Sequence, residues 1–303
     1  MHSAPPLGFM TMYEQIASNK RRTVILIILF IAVIIGLGYI FSRLYTLGPF
    51  GVIGAGAFAF IMTFSSYYYG DKIVLRASRA RPLKHNEYPY LDNTIEGLAI
   101  AAGIPKPKAY VIDDAASNAF ATGRNPENAV IAVTRGLVEK MDRQELEGVI
   151  AHEMSHIKNL DIRLMAIVSV LVGMIILLAD WFRYSMWFGG FSSDDDNGLG
   201  GAAVIIGIIL AILAPIFAML IQFAISRRRE YLADASGAML TRYPEGLAGA
   251  LKKLATDTKQ LKVASNATAH LFIINPFKKG FAVSNLFSTH PPIEERIKRL
   301  EEM

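Results

Sequence analysis

Apolar and polar positions alternate along this chain in two different ways, and the difference divides it. Thr23 to Ser42, residues 47 to 69, about Leu164 to Phe182, and Ala202 to Ile225 are runs dominated by Val, Ile, Leu, Phe, Ala and Gly. Each approaches or exceeds the roughly 20 apolar residues that a helix needs to cross a bilayer, so four spans are predicted, the last kinked at Pro215. About 90 residues with ordinary globular patterning separate the second run from the third. Within them Leu91, Ile95, Leu98 and Ala102 recur at helical spacing from Asn86 to Ala102, with Gly103 and Pro105 as a stop. Ala109 to Asp113, Ser117 to Thr122 and Ala129 to Thr134 read as strands, the last two joined by the turn formers of 123 to 128. They predict a small antiparallel sheet. Asp142 and Glu145 have capping-box spacing and open a helix through Val149, His152 and His156. After the fourth run, residues 227 to 256 read as helices broken at Pro244, and an amphipathic helix with Ile293, Ile297 and Leu300 begins near Pro291.

Charge orients these elements. Lys20, Arg21 and Arg22 precede the first run, Lys72, Arg76, Arg79, Arg81 and Lys84 follow the second, and Arg227, Arg228 and Arg229 follow the fourth. Asp194, Asp195 and Asp196 sit in the turn between the third and fourth. The positive-inside rule then puts both termini and every large polar segment in the cytoplasm, with Trp181 and Trp187 at the outer interface and Tyr67, Tyr68 and Tyr69 at the inner one. The first run is longer than the h-region of a cleaved signal, about 7 to 15 residues, and reads as a retained anchor. The expected order is a cytoplasmic tail (1–22), a transmembrane hairpin (23–69), a first cytoplasmic domain part (70–161), a second hairpin (162–226) and a second cytoplasmic domain part (227–303).

Composition narrows the chemistry. The 303 residues are 52% hydrophobic with a net charge of +5, which the topology explains without a nucleic-acid partner. Cysteine is absent, so neither a disulfide framework nor a thiolate metal site is available, and a transition metal must rest on histidines and carboxylates.

His152-Glu-Met-Ser-His156 is the H-E-x-x-H pattern, and the cap ahead of it puts it on a helix. Residues four apart on a helix point about 40° apart, so the two imidazoles can share one zinc ion, one per chain. Glu153 reaches a water beside that ion, takes its proton as general base, and later delivers one to the leaving amine. Catalytic zinc takes three protein ligands. The candidates for the third are a carboxylate or one of His85, His270 and His290; Asp161 would face about 140° away on a continuing helix. Glu230 is the better choice: in Glu230-Tyr-Leu-Ala-Asp234 the two carboxylates share a helical face, giving one ligand and a second group that can orient an imidazole N–H. The third and fourth runs, as antiparallel neighbours, would bring His156 and Glu230 to similar heights at the cytoplasmic surface. Such a polar segment does not suit the hydrocarbon core.

The chain resembles the HtpX-type membrane metalloproteases, distant relatives of the CAAX prenyl endopeptidases. The resemblance is carried in order by Asn86-Glu87, Ala102-Gly-Ile-Pro-Lys-Pro-Lys-Ala-Tyr110, Ser117-Asn-Ala-Phe-Ala-Thr-Gly123, His152-Glu-Met-Ser-His156, Arg228-Arg-Glu-Tyr-Leu-Ala-Asp234 and Ser288-Thr-His-Pro-Pro-Ile-Glu-Glu-Arg296. It implies zinc held by His152, His156 and Glu230, catalysis by Glu153, and clearance of damaged or misassembled membrane proteins. Two further assignments come from the residues. Asn118, Ala119 and Phe120 belong to an expected exposed edge strand that pairs with substrate backbone. His290 donates to the oxyanion of the tetrahedral intermediate, supported by Arg296.

The expectation is therefore an α+β integral membrane protein: four transmembrane helices and a mainly helical, zincin-like catalytic domain containing a small antiparallel sheet. It sits in the plasma membrane as a multi-pass zinc metalloendopeptidase acting on polypeptides, membrane proteins among them. A catalytically inactive membrane scaffold with a closed structural zinc site is the alternative.

Overall fold

The computed structural model describes residues 12–44, 48–188, 227–265, 267–276 and 291–303. The fourth apolar run and His290 lie outside the described residues, as do the side chains of Trp181 and Trp187. Helices α1 (Met12–Leu44) and α2 (Pro49–Ala77) contain the first two apolar runs and extend past them, α2 opening with proline in its first turn. Helix α6 (Asp161–Phe188) contains the third. These three pack through Leu26, Phe30, Ile34, Ala59, Leu164, Ile167, Val168 and Leu171. The other face of α2 is not covered by described residues: Phe50 is 78% exposed and Phe60 68%, with Ile53, Ile61 and Phe64 also exposed. Among the described residues, α2 is the one helix long and apolar enough to cross a membrane by length and composition.

The polar part is built on a four-stranded sheet of β1 (Arg81–Pro82), β2 (Lys108–Ile112), β3 (Ala119–Thr122) and β4 (Val130–Thr134), in the order β1-β2-β4-β3. It is mixed, not antiparallel as expected. The turn at 123–128 folds β3 back on β4, pairing Ala119 with Val133 and Thr122 with Val130. β4 thereby comes to lie between β3 and β2, parallel to β2 with Lys108 opposite Val130 and Ile112 opposite Thr134. Val130 to Val133 are all buried, as suits a central strand with both faces covered.

Around the sheet lie α3 (Pro89–Ala102), α4 (Arg135–Lys140), α5 (Arg143–Lys158), α7 (Arg227–Thr241), α8 (Pro244–Thr256) and α9 (Ile293–Glu301). Helix α3 stops where expected, at Gly103 with φ 70°, the left-handed region that favours glycine. Helix α5 opens on the capping box read from the sequence: Glu145 N–H donates to Asp142 Oδ1 at 2.9 Å and Asp142 N–H to Glu145 Oε2 at 2.8 Å. It is buried almost throughout, between α3, β3, α7 and α8. Two glycines permit that close approach. A Cβ at Gly148 would lie 2.6 Å from the Leu247 backbone nitrogen of α8, and one at Gly237 of α7 would lie 3.0 Å from the backbone nitrogen of His152.

Gly148→Ala should therefore force α8 off α5 and cost about 1–3 kcal/mol, the range for overpacking. Gly97→Ala, where a Cβ meets nothing within 4 Å, should be neutral or gain about 0.5–1 kcal/mol from helix propensity. Thermal unfolding of both proteins in one detergent checks the contrast; equal midpoints would contradict the packing described.

Candidate metal centre

Helix α5 presents His152 and His156 one turn apart, their Nε2 atoms 3.2 Å from each other. Helix α7 supplies the opposing carboxylate: Glu230 Oε2 is 3.8 Å from His152 Nε2 and Oε1 is 3.6 Å from His156 Nε2. Glu230, Asp234 and Gly237 stand at i, i+4 and i+7 on α7, so the glycine that lets α7 touch α5 shares the face that carries both carboxylates. A tetrahedral ion with bonds of about 2.0–2.1 Å holds ligand atoms about 3.3 Å apart, so the spacing of these three donors fits a zinc-sized cation. Among the described residues they are the group of histidines and acids that could hold a metal, all within 4.8 Å of one another. His85 and His270 do not join them.

Each imidazole is oriented from behind. A carboxylate only accepts, so His152 Nδ1–H donates to Asp234 Oδ1 at 2.9 Å and His156 Nδ1–H to Asp161 Oδ2 at 2.9 Å. That fixes both tautomers with Nε2 toward the shared point. Arg296, 1% exposed, clamps Asp234 through Nε at 2.8 Å and Nη2 at 2.7 Å, and its Nη1 donates to the Ile273 carbonyl at 2.9 Å. Burial raises the Asp234 carboxyl, but Arg296 and His152 hold it below the usual range, so it stays ionised.

Burial lowers His152 and outweighs Asp234, leaving the ring neutral. Burial lowers His156 too, but Asp161, Glu230 and Glu153 outweigh it and lift the ring to about 9. Burial pushes Glu153 up to about 7; His156 opposes the rise and Glu230 adds to it, while the Ala121 backbone N–H donates to the carboxylate. Glu153 Oε1 is buried with no hydrogen-bond partner among the described residues. A buried carboxyl with an unpaired oxygen beside three converging donors is an arrangement that could serve metal-assisted hydrolysis.

The predicted site residues divide. His152, Glu153, His156, Glu230 and Asp234 converge, and Arg296 joins them from beneath Asp234. Ala119 and Phe120 lie on β3, the outer strand of the sheet, with Asn118 immediately before it, but that edge is covered. Ile273 N–H donates to the Ala119 carbonyl at 2.9 Å, Asn118 Nδ2 donates to the Ile274 carbonyl at 3.2 Å, and the Phe120 ring packs edge-on against Phe272 at 5.2 Å. The expectation of an exposed edge is corrected accordingly: the chain's own 272–274 segment takes the place of a neighbouring strand.

Asp161 also reaches the site, at a place that helical spacing does not predict. A continuing helix would turn it away from His156, but α5 ends at Lys158 and Leu160 has φ 59°, so the chain bends and brings Asp161 back under His156. The sequence signal for this bend is Asn159, three residues after His156, since Asn is a common helix terminator.

The family described as Peptidase family M48 matches residues 85–303. A Protease HtpX homolog of Dictyoglomus thermophilum is 48% identical over 293 residues, 97% of this chain and 95% of that protein. One of Caldanaerobacter subterraneus subsp. tengcongensis is 48% identical over 296 residues, 97% of this chain and 98% of its own. Among solved structures, the crystal structure of S. mikatae Ste24p is 25% identical with a TM-score of 0.48, covering 86% of this chain and 61% of that one.

A cation entering between the rings must displace the proton that His156 holds up to about pH 9. Zinc affinity should therefore fall by about tenfold per pH unit as pH drops from 9 to 7, one proton being released per ion bound. Competition with a chromophoric chelator at several pH values measures it, and a flat profile would contradict the protonation assigned to His156.

Proposed function

This chain belongs to peptidase family M48, and from that premise we propose that it is a membrane-embedded zinc metalloendopeptidase that cleaves damaged or misfolded membrane proteins at the cytoplasmic surface. The observation that carries the reading is the convergence of His152 Nε2, His156 Nε2 and a Glu230 oxygen beside Glu153. Zinc suits the donor set, since two imidazoles and a carboxylate with no thiolate match its catalytic sites. When bound, it would be held by His152, His156 and Glu230 and would supply Lewis acidity, polarising the scissile carbonyl and making water easier to deprotonate.

The protein's own residues do the rest. Glu153, lifted toward neutrality by burial, takes a proton from the attacking water through Oε1 and returns it to the departing amine. Asp234 and Asp161 keep both imidazoles aimed, and Arg296 keeps Asp234 ionised and in place. Substrate enters as an extended strand against Asn118 and Ala119, where β3 begins. It exchanges for Ile273 and Ile274, which hold those groups in this conformation. Phe120, turned into the core against Phe272, shapes the strand from behind. His290 is assigned as oxyanion donor on the sequence pattern, with Arg296 as its support.

Membrane placement is supported by the uncovered apolar faces of α1 and α2 and by the four apolar runs. The basic residues flanking those runs favour cytoplasmic termini and a cytoplasmic site.

Glu153→Gln removes the base and retains the ligands. It should lower cleavage of an unfolded protein in detergent by at least about a thousandfold, with zinc per chain unchanged, while chelators abolish wild-type cleavage. Wild-type zinc loading combined with cleavage unaffected by Glu153→Gln would reject the mechanism.

A further inference from the structure

Asn19 lies on α1, outside residues 85–303 that the family matches. It is 3% exposed, and its side-chain nitrogen makes two hydrogen bonds. One Nδ2–H donates to Asp161 Oδ1 at 2.6 Å and the other to the Asn159 carbonyl at 3.0 Å. Those acceptors flank the break between α5 and α6, where Leu160 takes φ 59°. An αL backbone at a non-glycine residue is strained and persists only when its surroundings fix it. Asp161 Oδ2 meanwhile accepts from His156 Nδ1 at 2.9 Å. A continuous path therefore runs from α1 through the amide and the carboxylate to a histidine of the metal centre.

We propose that Asn19 is a positioning residue for the metal centre: α1, through Asn19, pins Asp161 and the bend beneath His156, and thereby sets the aim of one metal-binding imidazole. The alternative cation for Asp161 is less well placed, since Arg229 Nε is 3.7 Å from the same oxygen. Asn19 also needs no protonation change to serve. Its amide is neutral and offers two donors in fixed geometry, which satisfies a buried carboxylate without adding a second charge to the site. The first helix is on this view a structural part of the metal centre, beyond any role in holding the protein in a bilayer.

The proposal rests on the metal-binding reading above, and the test separates the two. Full-length protein in detergent is titrated with zinc against a chromophoric chelator, with thermal unfolding of each variant recorded without zinc. Loss of an outer partner of a metal-bound histidine costs about 10–100-fold in affinity, so Asn19→Ala should weaken zinc binding by about tenfold. Asn19→Asp, which sets two carboxylates against each other, should weaken it more. Asn19→Ser, which keeps one donor and disturbs packing least, should fall between wild type and Asn19→Ala and serves if Asn19→Ala does not fold. Thr23→Val, a buried change one turn along α1 at a hydroxyl that donates to the Asn19 backbone carbonyl and leaves the Asn19 side chain in place, should leave affinity unchanged. In an Asp161→Ala background, Asn19→Ala should add no further loss. Wild-type protein that binds no zinc refutes the metal reading. Wild-type protein that binds zinc, with Asn19 variants binding equally well or losing the same factor in the Asp161→Ala background, refutes the role of Asn19 alone.

Discussion

Everything at this site depends on α5 and α7 lying close enough that two imidazoles from one and a carboxylate from the other meet at a single point. Side-chain volume at the crossing would forbid it, and Gly237, directly against the backbone of His152, removes that volume. Burial then creates a second problem, because the meeting point gathers ionisable groups that water would otherwise solvate. The solution is alternation. Arg296 neutralises Asp234, Asp234 accepts from His152, Asn19 donates to Asp161, and Asp161 accepts from His156. Each histidine has its Nδ1 engaged by an acceptor, which leaves both Nε2 atoms with one available direction.

The same alternation separates the roles of two similar acids. Asp234 is ionised because a guanidinium grips it, whereas Glu153, equally buried but not bonded to a guanidinium, has an oxygen with no hydrogen-bond partner among the described residues and a proton affinity lifted to about 7. Both are buried carboxyls on helices. What distinguishes orienter from base is the neighbouring charge, the principle that lets one fold place acids of different strength a few ångströms apart.

Local patterns were legible in the sequence and long-range placements were not. The capping box at Asp142, the helix through His152 and His156, the stop at Gly103 and the pairing of Glu230 with Asp234 depend on residues within one or two turns, and spacing alone exposes them. Asp161 was misplaced because one left-handed residue, Leu160, defeats any argument from helical phase. The sheet's mixed character depends on where β4 inserts, which no strand pattern encodes. Coverage of β3 by Ile273 and Ile274, and of Asp161 by Asn19, involves partners more than a hundred residues apart in sequence, where periodicity carries no information.

Helix α6 links the two halves of the molecule: it begins at Asp161 under His156 and continues into the apolar bundle with α1 and α2. The proposed site holds one cation between His152, His156 and Glu230, and zinc-edge X-ray absorption of the purified protein, compared with Glu230→Ala, tests it. One zinc per chain with two imidazole nitrogens and oxygen donors at about 2.0–2.1 Å is expected, the oxygen contribution falling in the variant. A spectrum with a different imidazole count, or one that Glu230→Ala leaves unchanged, would contradict it.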